Sequence, residues 1–568
     1  MRRKKVWRTY PEQPELIKEL STRHEVPSLI ARILLNRGVI TPEDVLAFLE
    51  PNLERLHPPF ALPDLEKAAA RLGEAVRQGE TVAVYGDYDV DGLTSTCLLQ
   101  QFLQELGLTC LTYIPDRLQE GYGLKIPALR ELARQARLLI TVDCGISDAA
   151  EVAWAQEQGL EVIVTDHHEL PPELPPALAV VNPKRGGKDY PFADLAGVGV
   201  ALLLALGVRA HLRERGWFNK HPEPNLRAYL DLVALGTAAD VAPMVGENRI
   251  LVRQGLKVLE ESRRPGLVAL KEAAGLEGKP ISYRDAIFRL APRLNAAGRL
   301  GQAKGALELL LSDDLAQART QARCLNDLNR QRQGLEETVL RQALTLLRSP
   351  GMMDRRMWVL AGEGWHPGVL GIVAARLAEE HHRPVALVSL KDGRGRGSGR
   401  SVEGFHLFRG LHACREVLQK YGGHQYAAGF EVAAADLEAL QEGLEQAFLT
   451  QVGQEPLRPT LKVDAQVELG ELDSRFYHHL ERLRPFGPGN PEPVLACAGV
   501  ECLASRIVGE RHLKVRLAQN GCLTEAIAFD LAAAHPLAGP LEVAFSPRFS
   551  YYQGRLRPEL RLLDWARV

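Results

Sequence analysis

The sequence predicts a multidomain α/β protein: a core domain on a parallel sheet, a second α/β domain joined to it by a long helix, and a C-terminal antiparallel β-barrel. Three observations carry this. Between about 65 and 185, short continuous apolar runs alternate with helical stretches, as in a doubly wound parallel sheet. Ser312-Asp-Asp opens an uninterrupted polar-rich helix reaching toward Arg348, stopped by Pro350 and Gly351. From Thr460 onward the chain turns β-rich with hairpin signals. A length of 568 residues holds about three to five domains.

The elements follow in order. Residues 1–55 form a small helical lead-in, with Thr41-Pro-Glu-Asp opening a capped helix. The core domain, 56–265, has strands at Thr81–Tyr85, Cys110–Ile114, Leu138–Val142, Val162–Thr165 and Ala177–Val181. Its helices lie near Leu93–Leu106, Ile126–Ala136 and Asp148–Gln158. A helical connector with the long spacer helix fills 266–349, and a second α/β domain with Val385–Leu390 as a core strand fills 350–452. Gly453-Gln-Glu-Pro is a linker to the barrel domain, 453–568, and Pro485-Phe-Gly-Pro-Gly-Asn-Pro reads as a rigid joint.

Apolar residues make up 46% and charged residues 25%, which excludes extensive disorder, and no apolar run reaches the roughly 18 residues of a membrane span. Met1-Arg-Arg-Lys-Lys is followed by Val6-Trp-Arg-Thr-Tyr-Pro and not by an apolar signal core, so a cytoplasmic protein is expected. Lys plus Arg (69) nearly balances Asp plus Glu (71), which excludes a histone-like binder but not a local basic groove. The 8 cysteines contain no CxxC pair and read as buried free thiols.

Tyr85-Gly-Asp-Tyr-Asp-Val-Asp-Gly92 places Asp87, Asp89 and Asp91 after the first strand. A calcium loop also begins D-x-D-x-D-G, but it needs Glu at the twelfth position, where this chain has Leu98, and a helical flank. Three uncompensated carboxylates ahead of a helix repel one another unless cations intervene, so metal binding is the stronger reading. Asp143 ends Leu139-Ile-Thr-Val, and Asp166-His167-His168 ends Val162-Ile-Val-Thr. Ligands of open parallel sheets sit beyond the carboxyl ends of the strands, which brings Asp89, Asp91, Asp143 and His167 together. Alone, Asp143 would be a helix cap and Asp240 a helix terminus or buried ion-pair partner. Carboxylates with some imidazole suit manganese or magnesium, and two such ions can activate water for phosphoester hydrolysis.

These residues resemble the DHH phosphoesterase superfamily, through GDYDVDGLTST (86–96), IPDRLQEGYGL (114–124), TVDCGI (141–146) and TDHHE (165–169). ALGTAADVAP (234–243), RLNAAGR (293–299), GWHPGVLGIVAARL (364–377), GSGRS (397–401), GGHQYAAG (422–429) and PFGPGNPEP (485–493) resemble its branch of single-strand-specific exonucleases. The resemblance implies a 5′-to-3′ single-stranded-DNA exonuclease with two Mn2+ or Mg2+ ions, acting in DNA repair and recombination. It implies that Asp89, Asp91, Asp143, His167 and Asp240 hold the ions, with Asp143 bridging and Asp87 and His168 in close support. It also implies a single-strand-binding protein and a helicase as partners, with no membrane, and the long helix suits a monomer.

Arg117, Arg293, Asn295 and Arg299 lie in these motifs as candidate substrate contacts, the arginines as phosphate grips against the alternative of surface ion pairs. Lys391–Arg400 combines cations with glycines, either a floppy solvated hairpin or a segment whose glycines let phosphate approach backbone N–H groups, and Ser398 and Arg400 are its candidates. Gly422, Gly423 and His424 resemble the nucleic-acid motif of the second domain, against the alternative of a turn before a buried helix. On the barrel, expected to be an OB-fold, Tyr551, Tyr552, Arg555 and Arg557 suit stacking and phosphate contact, or barrel filling. The pairs His381-His382 and His478-His479 read as surface or capping residues. Competing readings are hydrolysis of short oligonucleotides, cyclic dinucleotides or pyrophosphate, and a non-catalytic DNA-binding scaffold.

Overall fold

The structure, a computed structural model, describes residues 5–552 and 555–567, apart from the side chains of residues 551, 552, 555 and 556. The chain forms two compact units, one of Met1–Asn295, Ala303–Ala322 and Thr460–Val568, the other of Ala296–Gln302 and Arg323–Pro459. Their division falls inside the helix Leu315–Leu346, the expected long helix.

The first unit is built on a five-stranded sheet in the order Cys110–Tyr113, Val82–Gly86, Leu138–Val142, Glu161–Thr165, Ala179–Val181. Every pairing is parallel. Val82–Gly86 and Leu138–Val142 are buried throughout, which explains why they read as continuous apolar runs and not as alternating ones. The chain enters at Val82–Gly86, steps to one side for its second strand and crosses to the other for its third. The strand order therefore reverses between Val82–Gly86 and Leu138–Val142, and the open crevice of a doubly wound sheet lies there.

The barrel of this unit closes five strands, Leu495–Val508, His512–Gln519, Cys522–Ala528, Arg555–Arg567 and Gly539–Tyr552, the last pairing back to the first. The lead-in does not stand apart. Helices Ser28–Asn36 and Pro42–Leu49 bury Ile30, Leu34 and Phe48 in one core with Phe476, Leu495 and Phe545 of the barrel domain. Strand Val6–Thr9, absent from the sequence reading, pairs in parallel with Thr460–Val463. The expected cap is present: Thr41 and Asp44 form a reciprocal capping box. Arg37 meets Asp464 at 2.6 Å with both side chains buried, and Asn36 donates to the same carboxylate.

Arg249, almost fully buried, ties the core domain to both neighbours by donating to the carbonyls of Phe48, Arg482, Leu483 and Pro485. The Pro485–Pro491 joint rests on the segment after Asp240, where Met244 N donates to Pro488 O at 2.6 Å.

The second unit carries a five-stranded mixed sheet, Leu418–Gly423, Ala427–Ala433, Arg394–Arg400, Val385–Lys391, Trp358–Glu363. Lys391–Arg400 is the turn and second strand of a hairpin, but a packed one and not a floppy one. Gly395, Gly397 and Gly399 face the core, where a Cβ on Gly397 would lie 2.2 Å from the Phe430 ring, and the arginines occupy the opposite face. GGHQYAAG is a β-hairpin, not a turn before a helix, and residues 422–426 are exposed.

Two further expectations are corrected. Cys324 and Cys522 are exposed, although all eight thiols are free. His479 is buried because it lies on the inner face of the helix Ser474–Arg482, whereas His382 ends its helix in the left-handed conformation. Among the described residues, no helix is long and apolar enough to cross a membrane.

Candidate metal centre

The site assembles at the strand-order reversal. Asp87 follows the first strand, Asp143 the third, and Asp166, His167 and His168 the fourth. Asp89 caps the helix Val90–Glu105, its Oδ1 accepting from Asp91 N at 3.0 Å and Gly92 N at 3.2 Å. Asp91, in the first turn of that helix, is fixed by the N-terminus of the helix Gly197–Glu214, accepting from Gly197 N at 2.7 Å and Val198 N at 2.9 Å. Asp240 terminates the helix Leu230–Ala239 and is followed by Val241 at φ +59°, a strained conformation for a β-branched residue.

Ligand atoms converge in three overlapping triads: Asp87, Asp89 and Asp143; Asp91, His167 and Asp240; and Asp143, His167 and His168. Within each, the ligand atoms lie within 4.8 Å of one another. All seven catalytic candidates are in this cluster. Asp143 and His167 belong to two triads each, the arrangement that lets one residue serve two ions.

The residues fit divalent ions on three observations. Asp143 Oδ1 is buried 3.0 Å from His167 Nε2 yet accepts no hydrogen bond, and Asp87 Oδ1 is likewise buried without a donor. Burial and neighbouring carboxylates push Asp87 and Asp143 well above the usual range, Asp91 to about 7 and Asp240 to about 8. Burial and the neighbouring His168 hold His167 down at about 4, leaving a neutral imidazole suited to ligation. Finally, the walls are glycine where space is needed: a Cβ on Gly197 would lie 2.9 Å from Asp91 Oδ2 and 3.1 Å from Asp143 Oδ1.

Asp166 was not a candidate ligand, and the structure shows why. It is fully buried and spent on hydrogen bonds, from His167 N at 2.7 Å, His168 N at 3.1 Å and Ile146 N at 3.0 Å. His168 Nδ1 lies 2.8 Å from it. Burial opposes charge on His168, but the hydrogen bond and charge of Asp166 prevail and raise the imidazole to about 9. Tyr122, which sequence reasoning left unassigned within its motif, donates to Asp143 O at 3.1 Å and lies 3.2 Å from His168 Nδ1.

The substrate candidates divide between the units. In the first, Arg117 lies over the Tyr88 ring at 5.1 Å, close enough for its charge to favour ionised Asp87. Arg293 is engaged structurally, donating to Ala273 O at 3.2 Å and to Arg289 O, and Asn295 is half-buried on the same helix, Ala291–Arg299. In the second unit Arg299 donates to Gly368 O at 3.1 Å. Arg400 donates to Ser398 Oγ at 3.2 Å and packs on Gly371, where a Cβ would meet it at 2.6 Å. Gly422, Gly423 and His424 occupy the exposed hairpin, and Gly423 is required there: at φ +140° a Cβ would strike Ala427 O at 2.5 Å.

The side chains of Tyr551, Tyr552 and Arg555 lie outside the described residues. Arg557 lines an open concavity of about 740 Å³ on the barrel with Tyr477, Arg506, Lys514 and Leu523.

Comparison with known proteins accords with this architecture. Residues 81–237 match the DHH family N-terminal domain, 354–450 the DHHA1 domain and 463–564 the RecJ OB domain. The single-stranded-DNA-specific exonuclease RecJ of Escherichia coli is 36% identical over 558 residues, 95% of each chain. The crystal structure of Thermus thermophilus RecJ in complex with Mn2+ superposes with a TM-score of 0.85 at 35% identity, covering 99% of this chain and 80% of that one. The Mg2+ complex gives 0.79 at 33% identity, covering 99% and 78%.

Proposed function

The chain belongs to the RecJ family of single-stranded-DNA-specific exonucleases, and from that premise we infer that it shortens single-stranded DNA from the 5′ end, releasing 5′-mononucleotides. The observation that carries this reading is the cluster itself, with buried Asp143 Oδ1 and Asp87 Oδ1 lacking any hydrogen-bond donor. Asp89, Asp91, Asp143, His167 and Asp240 would hold the ions, Asp143 standing in two of the triads, and Asp87 would complete the carboxylate shell. Two divalent ions, Mn2+ or Mg2+, supply Lewis acidity and an activated water when bound.

The chain's own groups do the rest. Asp166 orients the His168 imidazole from behind and holds the His167 backbone N–H, and Tyr122 ties His168 to the Asp143 backbone. With Nδ1 directed at Asp166, His168 keeps Nε2 for the departing 3′ oxygen, to which it delivers a proton. Arg117 and Asn295 hold the scissile phosphate region, and Arg293 braces the helix that carries Asn295. In the second unit, Ser398, Arg400 and His424, with Arg299 and the small Gly422 and Gly423, contact single-stranded DNA. The protein acts as a cytoplasmic monomer in DNA repair and recombination, alongside a single-strand-binding protein and a helicase.

Single strands labelled separately at each end, with duplex and dinucleotide controls, test this in Mn2+ and in EDTA. Metal-dependent release of mononucleotides from the 5′ end of single strands is expected. Cleavage confined to dinucleotides moves the activity to small substrates, and binding without cleavage leaves a scaffold.

A further inference from the structure

Phe288 is 66% exposed, among the most exposed large apolar side chains among the described residues. It stands on the π-helical turn Ala286–Leu290, directly before the Ala291–Arg299 helix that bears Asn295. A single exposed ring is common on protein surfaces, but this one stands on a π-helical turn, a conformation that recurs at functional sites.

The surroundings narrow the ligand. The turn packs against the helix Leu230–Ala239, whose end is Asp240, so the ring stands on an element that buttresses the ion cluster. On the other side lies the barrel domain. Arg284 sits over the Phe288 ring at 5.5 Å and reaches Glu492 at 3.5 Å, while Arg561 of the barrel reaches the same carboxylate at 3.2 Å. Two guanidinium groups on one carboxylate leave net positive charge beside an exposed aromatic face. Cationic charge with an exposed ring suits the base and phosphate of a single strand.

We propose that Phe288 and Arg284 form a stacking step for single-stranded DNA between the ion cluster and the barrel, Phe288 taking a base and Arg284 the adjoining phosphate. The proposal rests on the exonuclease reading and extends it to an internal nucleotide several positions from the cut. A duplex base, already stacked on both faces, cannot use this step, so it adds to strand selectivity.

The test is binding of 5′-phosphorylated oligothymidylate to the full chain in EDTA, read by fluorescence anisotropy, with an abasic residue walked along the strand. Wild type is expected to show one internal position where the missing base weakens binding about 5- to 100-fold. Phe288→Ala is expected to lose that position and to bind the unmodified strand more weakly by a similar factor, and Phe288→Trp to retain both. Melting temperatures should be unchanged, since the ring is exposed. No sensitive position in wild type, or one that persists in Phe288→Ala, overturns the proposal. Digestion of the unmodified strand by wild type in Mn2+, run alongside, reports separately on the exonuclease reading.

Discussion

The carboxylate of Asp166, fully buried, lies 2.8 Å from Nδ1 of the half-exposed His168. Removing the charge should release the ring: Asp166→Asn is expected to lower kcat/KM about 10- to 100-fold. Titration by NMR in the metal-free protein checks the cause, the His168 transition moving down from about 9.

The same pair sets one pH window. His168 is raised above its ordinary 6.5, so its contribution to stability is complete below 6.5 and is lost as pH rises through about 9. Asp166 is lowered, so its contribution holds above 3.8 and is lost only below that, on acidification. The gap in denaturant midpoint between wild type and Asp166→Asn should narrow as pH rises through about 9, leaving the part owed to the backbone hydrogen bonds that Asp166 accepts.

The cluster carboxylates act in the opposite sense to Asp166 and the same sense as His168. Asp91 at about 7 and Asp240 at about 8 keep protons in the folded state that an unfolded carboxyl gives up near 3.8. Across that window the folded state binds more protons, so metal-free stability falls as pH rises, with a limiting slope of about 1.4 kcal/mol per pH unit for each such group. Calorimetry in EDTA should show the melting temperature dropping from pH 5 to 8, and Mn2+ should restore it at the upper end.

Gly397→Ala drives a Cβ into the Phe430 ring and should destabilise the second unit by about 1–3 kcal/mol. Gly197→Ala instead crowds Asp91 and Asp143, and should weaken Mn2+ affinity more than it lowers the melting temperature. Isothermal titration and calorimetry on both variants separate the two effects.

Asp464→Ala leaves Arg37 buried without its carboxylate and should cost about 3–5 kcal/mol. The loss should appear in urea unfolding, with Mn2+ affinity of the surviving folded protein unchanged.

How much of this was legible in the sequence depended on the range of the interactions. Asp89, Asp91, Asp143 and His167 could be placed together because parallel strands end on one edge, a rule needing only local pattern. Asp240 could not: it closes a helix, and only the family resemblance singled it out. The lead-in's docking on the barrel was hidden because Asn36 and Asp464 are hundreds of residues apart with no periodic signal to pair them. The packing of Arg394–Arg400 was hidden because glycines among cations suggest a solvated hairpin, whereas alternate glycines here admit Phe430 and Leu407 against a strand.

If Asp143 is shared by two ions, its loss should remove both tight metal binding and single-strand hydrolysis. Equilibrium Mn2+ titration of wild type and Asp143→Ala, paired with mononucleotide release from 5′-labelled single strands, measures both. Two ions per wild-type chain are expected, with loss of tight binding and of release in the variant. An Asp143→Ala protein that still holds two ions tightly, or still degrades single strands at the wild-type rate, would contradict it.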